Sequence, residues 1–159
     1  MGRKYTIDTG FQTVSAVQDL VEILNPADAV MLVPSISVDQ SSDAASTEAE
    51  KLQLVMKRAS GTYTSGSGGG TVTPAVLEFG DAAAGITAER NNTTQAVAGT
   101  GALATMANFV YDVLSGFEWT PIPELRPVFS PSQALVLSLT APADALTLRC
   151  LVIVEELGG

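Results

Sequence analysis

Histidine is missing from this sequence: none of its 159 residues is a histidine. Histidine is the commonest general base near neutral pH, and many zinc and iron sites depend on its ring nitrogens. A serine-type catalytic triad also needs it. We therefore predict a protein with no catalytic residues, no cofactor and no metal site, and we do not expect it to be an enzyme.

Cysteine and basic residues are also scarce. The single cysteine, Cys150, excludes a disulfide within the chain, and its place in the apolar run 148–154 indicates a small buried side chain. Eight Lys and Arg residues stand against 17 Asp and Glu, which gives a net charge of −9. Because nucleic acids and anionic membranes attract basic surfaces, we expect neither as a partner.

Long apolar runs are absent as well. No stretch has the length of a membrane span, and no signal-peptide core follows the first residues, so we expect a protein made in a cytoplasm. Hydrophobic residues still make up 46% of the chain, enough for a packed core. The length is that of one domain, and we predict a single domain over residues 1–159.

The dominant hydrophobic period is two, which is the pattern of half-buried β-strands. The predicted strands lie near residues 5–11, 19–24, 30–38, 52–56, 72–79, 109–113, 117–119, 134–139 and 146–156. Pro34 argues for an edge position or a bulge in the third strand. About eight strands with little helix predict an all-β fold, a two-sheet antiparallel β-sandwich of jelly-roll type.

One predicted strand has a second interpretation, and three segments lack a clear strand pattern. Residues 1–9 can also be interpreted as an N-terminal arm, and the Gly/Ser-rich residues 60–71 are predicted to form a flexible loop. Residues 39–50 are polar and rich in alanine, which favours a loop over a short helix. Within the Ala-, Gly- and Asn-rich stretch 81–105 a helix from Gln95 to Met106 is conceivable, although two glycines weaken it.

Carboxylates and aromatic residues offer the remaining candidate sites. Glu48 and Glu50, with Asp39 and Asp43 nearby, would suit a glycosidase pair or a calcium site. Nothing marks such a pair, and the EF-hand order of ligands and glycine is absent, so we favour a solvated acidic loop. Trp119 would suit a sugar-stacking platform. Its spacing of two from Phe117 favours a core or subunit-interface position for both rings.

Several longer segments together resemble a known group of proteins. These segments are 40–44, 52–58, the Ser/Gly tract that ends at Thr73-Pro74, 91–96, Trp119-Thr120-Pro121-Ile122-Pro123-Glu124, Arg126-Pro127, Ser130-Pro131, 142–146 and 154–156. From about Val14 to the end, the chain is similar to small structural proteins encoded among the head genes of tailed bacteriophages. The segments that carry this resemblance are turns and strands rather than catalytic motifs.

The resemblance implies a virion protein on the outer surface of the capsid. Proteins of this group are often trimeric β-sandwich decoration (cement) proteins that clamp neighbouring subunits of the major capsid protein. We therefore expect a homotrimer whose partner is the major capsid protein. The candidate capsid-contact residues are Arg3, Lys4 and Tyr5, because the basic Arg3 and Lys4 of this segment contrast with an acidic remainder. The candidate subunit-interface residues are Phe117 and Trp119.

Two other functions remain open at this point. One is a trimeric receptor- or carbohydrate-binding β-sandwich module of a phage tail or fibre, which would use Trp119 as its exposed platform. The other is an enzyme such as a glycosidase or esterase, which would have to work without histidine and without a recognisable nucleophile.

Overall fold

A computed structural model describes residues 2–42 and 50–158. These residues form two antiparallel sheets and one short 3-10 turn, Pro123–Leu125. The strands are β1 (Arg3–Asp8), β2 (Gln12–Val14), β3 (Gln18–Leu24), β4 (Ala29–Gln40), β5 (Lys51–Ser60), β6 (Gly70–Val72), β7 (Ala75–Val76), β8 (Thr87–Asn92), β9 (Ala102–Asp112), β10 (Phe117–Trp119), β11 (Val128–Phe129), β12 (Ala134–Leu139) and β13 (Leu146–Gly158).

The order of the strands is that of a jelly roll. One sheet runs β10-β4-β13-β1-β7, with β11 also on β4 and β2 also on β13, and the other runs β6-β8-β3-β12-β5-β9. If β10 and β11 count as one strand and β2, β6, β7 and β8 are set aside, eight strands remain. When these eight are renumbered 1 to 8 in chain order, they follow one another as 6-3-8-1 across one sheet and as 2-7-4-5 across the other. This is the double Greek key of a jelly roll. The predicted fold class is confirmed.

The core lies between the two sheets and follows the alternation of the sequence. In β13 the buried side chains are Leu146, Leu148, Cys150, Val152 and Val154, as the period of two predicts. Strand β12 is buried along its whole length, because Leu135, Leu137 and Leu139 face the core while Ala134 and Val136 lie under a second layer. Strands covered on both faces carry little sequence alternation.

Pro34 sits at an irregularity of β4, as predicted. Its strand is not at the edge along its length, since it pairs with β13 on one side and with β10 and β11 on the other. The register with β13 shifts between Ile153 and Glu155, opposite this part of β4. On the other side, β10 pairs with residues 36–38 and β11 with residues 31–32, so Pro34 falls between them. Both ladders are therefore interrupted where the proline has no N–H to donate.

Residues 61–69 and 93–101, here together called the excursion, cover the outer face of the second sheet. Paired backbone bonds join Thr64 to Val97 and Ser67 to Thr94, at 2.9–3.0 Å. The loop predicted over residues 60–71 is hydrogen-bonded at Tyr63, Thr64, Gly66 and Ser67, and Gly66 is buried. The helix from Gln95 to Met106 is wrong, since residues 102–106 belong to β9.

The N-terminal arm is a further correction. Residues 3–8 form β1, which is hydrogen-bonded to β13 on one side and to β7 on the other. Tyr5 and Ile7 have no exposed surface, so they belong to the core. The alternation of apolar residues predicted the strand correctly, whereas the interpretation of residues 1–9 as an arm is wrong. The predicted strand 72–79 is also shorter than expected, since only β6 and β7 form there.

Candidate interaction surface

An aromatic cluster closes one open side of the sandwich. Phe117 and Trp119 of β10 stand opposite the buried Val38 and Ile36, so they share the inner face of their sheet. Phe109 of β9, at the edge of the other sheet, lies 5.0 Å from Phe117 and 5.7 Å from Trp119 between ring centroids. These tilted contacts are the usual geometry of stabilising aromatic pairs. The cluster therefore ties the edges of the two sheets together.

Phe117 and Trp119 are partly buried within this cluster. Tyr111, 5.7 Å from Phe117, extends the cluster inward, and burial raises the pKa of its phenol. The prediction placed both candidate residues either in the core or in an interface. Their position at the rim of the core is compatible with each, because only their outer edges reach solvent.

Exposed apolar side chains surround the cluster on a surface that we call the β9–β11 side. It consists of β9, the turn 113–116, β10, the connection 120–127 and β11. Its exposed apolar residues are Val110, Leu114, Ile122, Leu125 and Val128, with 38–69% of their surface exposed. Val110 lies on the outer face of the second sheet and Val128 on the outer face of the first, so these side chains flank the cluster on both sides. Their exposed surface adds up to on the order of 500 Å² in total.

The backbone on this side is also unusual. Strand β9 has 11 residues and pairs on one side only, with β5. The segment 102–110 carries no charged residue. The other outermost strands have three residues or fewer. A single register shift beside Met106 is its only irregularity within the described residues. A long uncharged edge strand exposes unpaired N–H and C=O groups and invites pairing with another chain.

Charges of both signs lie at the margins of this surface. A guanidinium nitrogen of Arg58 donates to the Val128 carbonyl at 2.8 Å, and the group stands 5.1 Å from the centre of the Phe129 ring. The buried Nε atoms of Arg58 and Arg126 lack hydrogen-bond partners among the described residues. Glu118 and Glu124 are exposed on the same side, and within residues 2–42 and 50–158 neither takes part in an ion pair. The exposed carboxylates of Glu118 and Glu124 therefore offer acceptors to an outside partner, whereas the two Nε atoms are buried.

The predicted capsid-contact residues lie elsewhere. Tyr5 is buried, and its hydroxyl donates to the Ala82 carbonyl at 3.0 Å, so it cannot be a contact residue in the folded chain. Arg3 forms an ion pair with the buried Glu156 at 2.7 Å. Lys4 faces outward beside Glu155 on the neighbouring strand. The structure thus integrates all three into β1 and does not present them as an arm.

Two buried carboxylates of β3 hold the excursion in place. Glu22 accepts hydrogen bonds from the hydroxyls of Tyr63 and Ser65, both at 2.7 Å, and from the Gly66 N–H at 3.0 Å. Asp19 accepts from the Ala96 N–H at 2.7 Å and from the Ser138 hydroxyl. Sequence reasoning missed both residues, because their partners lie far away along the chain. Their oxygens are occupied by the protein itself, which marks a structural role.

A cavity of about 150 Å³ lies beside Glu22 and is lined by Tyr63, Thr71 and Glu89, among others. Among the described residues no group of three or more metal-ligating side chains comes together. Of the acidic loop residues considered for a calcium or glycosidase site, Asp43 and Glu48 lie outside the described residues. Glu50 accepts the Ala143 N–H at 2.8 Å. Within the part of the chain that the structure describes, neither the cavity beside Glu22 nor the surroundings of Glu50 hold an assembled set of metal ligands.

Cys150 is fully buried, as predicted, and burial raises the pKa of its thiol to about 12. The neutral thiol persists at physiological pH and is a poor nucleophile.

No helix within the described residues has both the length and the apolar composition to cross a membrane. No protein-family model, no curated protein and no solved structure matches this chain.

Proposed function

We propose that this protein is a virion structural protein, a decoration (cement) protein of a tailed-phage head that works as a homotrimer. The observation that carries the proposal is the β9–β11 side, which joins a long edge strand without charge over residues 102–110 to a set of exposed apolar side chains. The sequence resemblance to phage head proteins supplies the biological setting. The jelly-roll architecture supports it, since this fold recurs in viral capsid domains, though also in lectins.

The β9–β11 side suits contact between copies of the chain. With a net charge of −9, copies repel one another wherever acidic surfaces meet, so a contact between them is favoured where charge is sparse. A stable interface buries about 800 Å² on each partner, and the exposed apolar side chains here provide on the order of half of that. Arg58 and Arg126 of one copy would receive Glu118 or Glu124 of another at the margin.

The proposed trimer would stabilise the capsid by binding several neighbouring major capsid subunits at once. A ligand that binds only the assembled shell shifts the equilibrium toward assembly by mass action. Many copies on one lattice multiply a modest contact into a large effect, because each bound trimer acts on subunits that are already held nearby. This function needs rigid surfaces and no chemistry, in keeping with the prediction that the chain is not an enzyme.

Solution mass tests the self-association. Multi-angle light scattering should give three times the chain mass for the wild type, and Val128→Glu should shift the protein toward monomer. Val17→Glu is the matched control, because Val17 is 47% exposed and Val128 46%, but Val17 lies in the β2–β3 connection. A wild-type protein that is monomeric at micromolar concentration, or equal masses for both variants, would overturn the assignment of this interface.

Electron microscopy of intact virions tests the location. Density for this jelly roll at regular positions on the outer head surface is the expected result, and a chain missing from purified particles would refute the proposal. Density on the tail or fibre would instead favour the receptor- or carbohydrate-binding module. That module needs an exposed ring, whereas Trp119 is partly buried against Phe109. Strong quenching of Trp119 fluorescence by a soluble quencher would support the module.

A further inference from the structure

The opposite open side of the sandwich is closed by residues 77–86 in a different way. Ala84 and Ile86 pack on the core from this segment, and Ile86 is only 3% exposed. The start of the same segment points away from the core. Leu77 is 47% exposed and Phe79 is 109% exposed, which means that the Phe79 ring touches almost nothing in its own chain. A fully exposed phenylalanine beside a second exposed apolar residue is uncommon on a soluble surface.

The turn that carries Phe79 is held firmly. Leu77, which directly follows β7, donates its N–H to the Lys4 carbonyl of β1 at 2.9 Å. Across the turn, the backbone N–H of Asp81 donates to the Glu78 carbonyl at 3.2 Å. Gly80 has a φ of +97°, and a residue with a side chain would be strained in this conformation, so the turn favours glycine at this position.

Farther along, two contacts fix the end of the segment. The Tyr5 hydroxyl donates to the Ala82 carbonyl at 3.0 Å, and the Gly85 N–H donates to the Glu156 carboxylate at 2.9 Å. Both partners are buried residues of the first sheet. The ring is thus presented on a preorganised turn, so little conformational entropy of this segment is lost when a partner binds the ring.

We propose that Phe79 is the anchor by which the protein docks on its protein partner, inserting into an apolar pocket with a positively charged rim. The charges around the ring select this occupant. Glu78 and Asp81 flank Phe79, and Arg3 nearby on β1 is neutralised by Glu156. A second copy of this acidic chain would meet repulsion here, whereas a basic rim would meet complementary charge. Resting on the proposed function, the inference names this pocket as part of the major capsid protein surface.

Binding to heads of the parent phage that lack this chain tests the proposal. The probe is the purified full-length protein, and bound protein is measured by co-sedimentation with the heads over a concentration series. Phe79→Ser should weaken binding about 30-fold or more, as expected for a buried aromatic anchor. Phe11→Ser is the matched control, because Phe11 is 48% exposed on the distant β1–β2 turn, and it should bind like the wild type. Unchanged melting temperatures for both variants show that folding is intact.

The outcomes separate this inference from the proposed function. If the wild type binds heads and Phe79→Ser binds equally well, the anchor is refuted while the decoration function stands. If the wild type does not bind heads, the proposed function itself fails. Binding that weakens as salt rises from 50 to 500 mM supports the basic rim, since opposite charges attract less when screened. Salt-independent binding that still needs Phe79 refutes the rim and leaves an apolar pocket alone.

Discussion

Replacing Glu22 with glutamine tests how the excursion is attached to the sandwich. Glu22 is 4% exposed, and its two oxygens accept three hydrogen bonds from the excursion. A hydrogen bond to a charged acceptor contributes about 1.5–3 kcal/mol, against about 0.5–1.5 kcal/mol for a neutral pair. Glutamine keeps one oxygen for the hydroxyls of Tyr63 and Ser65 but turns its NH₂ group toward the Gly66 N–H, so one buried donor loses its acceptor.

The stranded donor costs about 1–3 kcal/mol, and the weakened hydroxyl bonds add about 1–2 kcal/mol. The easier burial of a neutral amide offsets part of this loss. We therefore expect Glu22→Gln to lower the free energy of unfolding by about 3 kcal/mol. For a chain of this length that corresponds to a fall in melting temperature of about 6–12 °C. Hydrogen exchange at the Gly66 amide should accelerate as well, because that N–H loses its acceptor.

Glu89→Gln is the matched control for this experiment. Glu89 stands directly opposite Glu22 on β8, is only partly buried and accepts one bond from the Asn92 side chain at 3.1 Å. Each substitution relieves the same repulsion between the two carboxylates, so that effect cancels in the comparison. Glu89→Gln should change stability by less than about 1 kcal/mol. If both variants melt together, or if Gly66 exchange is unchanged in Glu22→Gln, the argument for a carboxylate anchor fails.

Two further substitutions test the fold at single atoms. The Nδ2 group of buried Asn25 lies within 2.6–3.2 Å of the carbonyls of residues 29, 129 and 130, so Asn25→Asp should cost about 3–5 kcal/mol near pH 7 in chemical denaturation. Because those carbonyls repel a carboxylate, the folded-state pKa of the new acid lies above about 4, and its destabilisation should grow as pH rises from 4 to 7. A Cβ on Gly69 would stand 1.9 Å from the Arg90 carbonyl oxygen, so Gly69→Ala should cost about 1–3 kcal/mol or more in thermal unfolding. Neighbouring Gly70 has space for a methyl group, so Gly70→Ala should be nearly neutral, and equal effects at the two glycines would contradict the close approach of β6 to β8.

The strands that sequence reasoning located were those with an alternating apolar face. Strands β12 and β13 were predicted almost to their ends, because one face of each is lined by Leu and Val side chains. Strand β8, Thr87–Asn92, was missed, since its sequence TAERNN carries one apolar residue. It forms because its backbone pairs with β3 on one side and with β6 on the other. That information lies in the tertiary structure and not in the local pattern.

The candidate surface was predictable only in part. Phe117 and Trp119 were recognised as a pair on one face, and the structure adds Phe109 as the partner that joins them to the second sheet. Phe79 was predicted as the last residue of the strand 72–79, whereas the structure places it in the turn that the following Gly80 signals. The choice between core and surface for an isolated aromatic residue depends on which elements cover it, which no local period encodes.

The two exposed sides of the sandwich make a joint prediction about assembly and binding. If the β9–β11 side joins three copies and each copy presents one Phe79, a trimer engages the head through three anchors. Linking sites in this way strengthens binding by about 10²–10⁴-fold over a single contact. Val128→Glu should therefore weaken head binding about 100-fold or more although its own Phe79 is intact, while Phe79→Ser should leave the solution mass unchanged. Co-sedimentation and light scattering on the same two variants measure both effects. A monomeric Val128→Glu protein that binds heads as tightly as the wild type would show that each copy acts alone and that the two surfaces are not coupled.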